Sequence, residues 1–72
     1  VKARLKISEE FFGYNDGQID MEVSILLPAG SQVEILQQSK DGLTCLVRYE
    51  NWVKTMSKSR LDLGFKAEYR SN

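Results

Sequence analysis

The sequence predicts an all-β domain: a small antiparallel barrel of five to six strands, with a 3-10 turn before the last of them. Three observations carry this. Apolar residues recur at every second position in several short windows, and no window of helical length holds an apolar helical face; that is the pattern of half-buried antiparallel strands. Between those windows stand Asn-Asp-Gly, Pro-Ala-Gly and Asp-Gly, whose residues readily take the backbone angles of tight turns. The chain is short, 72 residues, and reads as one domain (1–72). An open sheet in so small a domain would expose a face and two edges, a liability that closure removes.

The first strand is expected near residues 2–8, where Ala3, Leu5 and Ile7 alternate with Lys2, Arg4 and Lys6. Tyr14-Asn15-Asp16-Gly17 is a hairpin turn. A strand follows near 18–27, with Ile19, Met21, Val23 and Ile25 set against Asp20, Glu22 and Ser24. Pro28-Ala29-Gly30-Ser31 turns the chain into a strand near 32–38, and Lys40-Asp41-Gly42 into one near 43–49. There Leu43, Cys45, Val47 and Tyr49 share a face. Glu50-Asn51 is a two-residue turn before a strand near 52–56. Ser57 to Asp62 lacks alternation and reads as the short 3-10 turn; Gly64 opens a last strand near 64–70. The core expected from these faces is Val23, Ile25, Val33, Ile35, Cys45, Val47 and Phe65.

This order of elements resembles the SH3-like barrel superfamily. Residues 8–24 stand where that fold has its long irregular hairpin. Leu27 to Leu36 is similar to its passage into the central strands, and Ser57-Lys58-Ser59-Arg60-Leu61 occupies its 3-10 turn. The likeness covers nearly the whole chain, as layout. The aromatic slots with which peptide-binding SH3 domains grip a polyproline helix read instead Ala3-Arg4-Leu5-Lys6-Ile7, Leu43-Thr44 and Ser57-Lys58-Ser59-Arg60. The resemblance therefore implies a barrel without a Pro-rich ligand.

Composition removes several chemistries. The sequence has no histidine, hence no imidazole acid, base or zinc ligand. Its one cysteine, Cys45, cannot build a disulfide framework or a structural zinc site, and its alternation with apolar residues makes it a buried core thiol. A reducing, cytoplasmic location is expected. The acidic residues do not follow a calcium-loop pattern, and the glycines form no phosphate cradle. No metal, no cofactor and no enzymatic activity are expected. No apolar run has the length of a membrane span.

Net charge is zero, which argues against a dedicated nucleic-acid binder. The halves differ, however: residues 1–36 carry three basic and six acidic side chains, residues 37–72 seven and four. The expected function is that of a non-catalytic protein-interaction module. Its binding residues are expected on the long hairpin: Phe11, Phe12 and Tyr14, set among Glu9, Glu10 and Asp16. Adjacent residues of a strand point to opposite faces, so one of Phe11 and Phe12 is core and the other exposed. The competing expectation is a nucleic-acid surface of Arg48, Tyr49, Trp52, Lys54, Lys58 and Arg60, where cations meet phosphates and rings meet bases. For the hairpin the simpler alternative is that the exposed ring covers an open end of the barrel; for the basic set it is an ordinary solvated barrel face.

Overall fold

The computed structural model describes residues 1–63. Seven strands and one 3-10 turn follow in order: β1 (Lys2–Leu5), β2 (Glu9–Asn15), β3 (Gln18–Leu27), β4 (Gln32–Gln38), β5 (Thr44–Tyr49), β6 (Trp52–Ser57), the turn Lys58–Arg60, and β7 (Leu61–Asp62). Every pairing is antiparallel, and no α-helix occurs among the described residues. The all-β class and the 3-10 turn before the last strand match the expectation; the strand number does not. Two strands are additional: β7, within the stretch 57–62 expected to be turn, and β2, in a stretch expected to be only a connection. β2 is the longer of the two. It alternates regularly, with Glu9, Phe11 and Gly13 inward.

Closure into a barrel is also corrected. Among the described residues the sheet runs β3-β2-β6-β5-β4-β1-β7 and stays open, with β3 and β7 at its edges. Curling brings the two ends round one core instead: Leu27 of β3 and Leu61 of β7 belong to the same buried cluster as Ala3, Phe11 and Val47. Burial of those side chains is the main favourable term for a domain this small.

The turns behave as their residues dictate. Asp16 and Gly17 have φ of 53° and 80°, the positive values that a two-residue primed hairpin turn needs at both central positions. Glu50, at φ 55°, turns β5 into β6 and sets Tyr49 opposite Trp52. Gly30 donates its N–H to the Leu5 carbonyl at 2.8 Å, and Leu5 donates to that of Ser31 at 3.0 Å. β1 ends there, short of the expected residue 8, because Lys6 N–H then turns to the Arg60 carbonyl at 3.2 Å.

Of the expected core, Val33, Ile35, Cys45 and Val47 are buried and Ile25 packs against them. Phe65 and the strand near 64–70 lie outside the described residues. Val23 is 46% exposed, and Ile7 and Leu43 also face solvent. The reason for Val23 is a break in register. Phe12 pairs with Ser24, but Gly13 pairs with Asp20, so Met21, Glu22 and Val23 bulge out with nothing opposite. Three is an odd number, and an odd slip turns every later side chain to the other face. Ile25 therefore faces the core opposite Phe11, whereas Ile19 sits opposite Tyr14 on the far side of the sheet.

Candidate functional site

That far side carries a second, smaller apolar cluster. Val53 is completely buried yet stands apart from the main core; its neighbour Trp52 packs on the core and Val53 points the other way. Val53 pairs with Phe12 in the β2–β6 ladder. Around this pair Ile19, Met21, Lys54 and Thr55 line a groove of about 170 Å³. Ile19 and Thr55 also line a second, shallower depression of about 280 Å³, whose far wall is Gln37, Gln38 and Leu46. Met21 is 68% exposed at the groove's rim. The Lys54 ammonium stands over the Phe12 ring, 5.8 Å from its centre, an attraction between cation and ring face.

The bulge that presents Met21 is built, not slack. The Asp20 carboxylate accepts the Glu22 N–H at 2.9 Å, closing an Asx turn over the unpaired residues. Gly13 makes room for it: a Cβ there would stand 2.6 Å from the Val23 methyl. Glu10 accepts the Ser24 hydroxyl at 2.8 Å and fixes the other end of the stretch. Residues 9–27 contain five acidic residues, Glu9, Glu10, Asp16, Asp20 and Glu22, and no lysine or arginine.

The six hairpin residues singled out from the sequence divide. Phe12 and Tyr14 are half-buried on the outer face, and Glu10 and Asp16 are exposed beside them. Phe11 and Glu9 go inward and are withdrawn from any contact surface: Phe11 has no exposed area and Glu9 only 4%. The Glu9 carboxylate lies 3.2 Å from the Arg60 guanidinium Nε, a charge contact without the alignment of a hydrogen bond. Ile19, Met21 and Val53 escaped the sequence reading. A signal was there: the ten-residue run 18–27 faces a partner segment of seven, and the surplus must bulge.

The basic and aromatic set is dispersed among local partners. Arg48 donates to the Glu50 carbonyl at 2.7 Å, Lys58 to the Gln38 amide oxygen at 3.0 Å, Arg60 meets Glu9 and Lys54 meets Phe12. Tyr49 and Trp52 form a cross-strand pair whose rings pack against the core. Burial raises the Cys45 thiol above its ordinary value, with Lys58 pulling weakly the other way, so the thiolate that nucleophilic chemistry needs is disfavoured. Among the described residues no group of three or more acidic or cysteine side chains is placed to hold a metal ion, and no helix is long and apolar enough to cross a membrane.

No family model, curated protein or solved structure matches this chain.

Proposed function

We propose that this chain is a non-catalytic protein-interaction module of SH3-like layout that docks its partner on the outer face of the β2–β3 hairpin. The observation that carries the reading is the exposed apolar pair Ile19 and Met21, which lines one groove with half-buried Phe12 beside a braced bulge. Ordering three unpaired residues to display apolar side chains lowers stability, and contiguous exposed apolar surface marks interaction sites. The SH3-like layout is supported by the sequence of elements. A hairpin follows β1, the meander β4–β5–β6 comes next, and a 3-10 turn leads to a two-residue strand that pairs with β1.

The test is partner capture from the native host with nuclease treatment, comparing Phe12→Ser and Met21→Ser with Leu26→Ser, an exposed leucine that lines neither depression. Loss with the first two alone supports the surface. Capture that survives both substitutions, but fails after nuclease or with Arg48, Lys54 and Arg60 replaced together, refutes it in favour of nucleic acid.

A further inference from the structure

We infer that Asp16, at the tip of the β2–β3 hairpin, is a site of spontaneous conversion to isoaspartate, and that the hydrogen bonds around Asp41 protect the same dipeptide there.

The chemistry needs only the chain and water. The main-chain nitrogen that follows an aspartate attacks the carbon of the neutral side-chain carboxyl. A C–N bond forms, a C–O bond breaks, and the carboxyl hydroxyl leaves with the amide proton as water. Water then opens the cyclic imide. Where it adds at the former main-chain carbonyl, the chain runs on through the side-chain carbon. One water leaves, one enters, and nothing is oxidised or reduced. The attacking nitrogen must be uncrowded, and glycine, without a Cβ, crowds it least. Of the four aspartates only Asp16 and Asp41 precede glycine; Asp20 precedes Met21 and Asp62 precedes Leu63.

Both are exposed, so exposure does not separate them. Hydrogen bonding does. At Asp41 each reactant is engaged. The carboxylate accepts the Ser39 hydroxyl and the Leu43 N–H, the latter at 3.0 Å. These bonds hold the carboxyl below its ordinary value, which makes the neutral, reactive form scarcer. The nucleophile is held too: the Gly42 N–H donates to the Ser39 carbonyl at 3.0 Å. Around them the Ser39 N–H donates to the Thr44 carbonyl at 3.0 Å, and the Thr44 N–H to the Ser39 hydroxyl at 3.2 Å.

At Asp16 none of this is present. Among the described residues neither its carboxylate nor the Gly17 N–H has a hydrogen-bond partner. The turn lies beyond the last pair, Asn15↔Gln18, and holds no core residue; such tips open locally at little cost. That opening supplies the rotation about Asp16 that ring closure needs. The product lengthens the main chain by one carbon, in a turn whose two positive φ values suit a two-residue link. The pairs nearest the turn are Asn15↔Gln18 and Tyr14↔Ile19, and Ile19 lines both depressions of the outer face.

The test incubates the full chain at neutral pH and 37 °C for several weeks. Tryptic digestion separates the two sites, Asp16 in residues 7–40 and Asp41 in residues 41–48. Isoaspartate in each is counted by methyl labelling with an isoaspartate-specific methyltransferase. Label in 7–40 is expected to exceed that in 41–48 by ~10-fold or more, the worth of one hydrogen bond to a charged group. Asp16→Glu should abolish it, because its longer side chain cannot close the same ring. Ser39→Ala should raise the label in 41–48 by about 3-fold or more. In guanidinium, where both sites lose their structure, the two should converge. Equal labels in the folded chain, label in 7–40 that persists in Asp16→Glu, or a ratio unchanged in guanidinium overturns the inference. Labelled chains should also show a shifted Ile19 amide and weaker partner capture. Only that last expectation rests on the docking surface proposed above: intact capture by labelled chains counts against the link to docking, and the modification stands.

Discussion

Two hairpins of this molecule, β5–β6 and β2–β3, are joined by turns of similar length and do opposite things. In β5–β6, six successive pairs from Thr44↔Ser57 to Tyr49↔Trp52 run without a slip. Strands flank the hairpin on both sides, and it buries Cys45, Val47 and Met56 on the core face. In β2–β3 the register breaks after Phe12, and among the described residues the outer strand has no further neighbour; apolar side chains stand in solvent on a hairpin rich in acids. Regular register lets every second residue serve the core. A three-residue interruption spends part of the same pattern on the outside, and a hairpin becomes a surface. Adjacent Phe11 and Phe12 show the division within one peptide unit.

The comparison breaks if the two phenylalanines prove interchangeable. Phe11→Ala removes a fully buried ring and is expected to cost about 3–5 kcal/mol, most of what a small domain possesses. Urea unfolding should leave that variant largely unfolded in buffer, and a native-like midpoint would contradict the core assigned here. Ile35→Ala, buried in β4 opposite Val47 and just before the register shift of the β4–β5 ladder, is expected to cost about 2–4 kcal/mol in the same measurement. Gly13→Ala sharpens the contrast, because it forces Val23 aside without touching the core. A cost of about 1 kcal/mol is expected, together with altered amide shifts for Met21 to Val23. Unmoved shifts would show that the bulge does not depend on the missing Cβ. Met21→Ser should change stability by less than ~0.5 kcal/mol yet weaken partner capture about 10-fold.

The smallest effect is one of pH, in the loop between β4 and β5. Hydrogen bonds from the Ser39 hydroxyl and the Leu43 N–H hold the Asp41 carboxyl below its ordinary value. A carboxylate whose folded value is depressed adds stability above its unfolded value and loses it as pH falls through the folded one. The melting temperature of the unmodified chain should therefore exceed that of Asp41→Asn near pH ~6, and the gap should close toward pH ~2. A gap that widens in acid would refute the assignment.

Much of this was legible in the residues. Alternation located β3, β4, β5 and β6, and turn chemistry placed Asp16-Gly17, Gly30, Gly42 and Glu50-Asn51, since both are local properties. The pairing of Tyr49 with Trp52 followed from a two-residue turn. Faces were harder. The run Ile19, Met21, Val23, Ile25 reads as one face, and only the unequal lengths of β2 and β3 betray the slip that divides it. Glu9 looked like a surface acid because nothing nearby in sequence announces Arg60 as its partner. The sheet's openness was equally hidden, because closure depends on which distant strands meet.

The contacts of Lys6 with Ser59 and Arg60, and of Glu9 with Arg60, fasten the beginning of the described chain to its end. Bringing such distant segments together carries a loop-closure cost that Tyr49 and Trp52, neighbours across a turn, do not bear. The clasp should therefore close after the rate-limiting step of folding, with β5–β6 already formed. Arg60→Ala is then expected to speed unfolding and leave the folding arm of a chevron plot almost unchanged. How long a folded molecule survives would be set where its ends meet, and how quickly it forms by a hairpin on another part of the sheet.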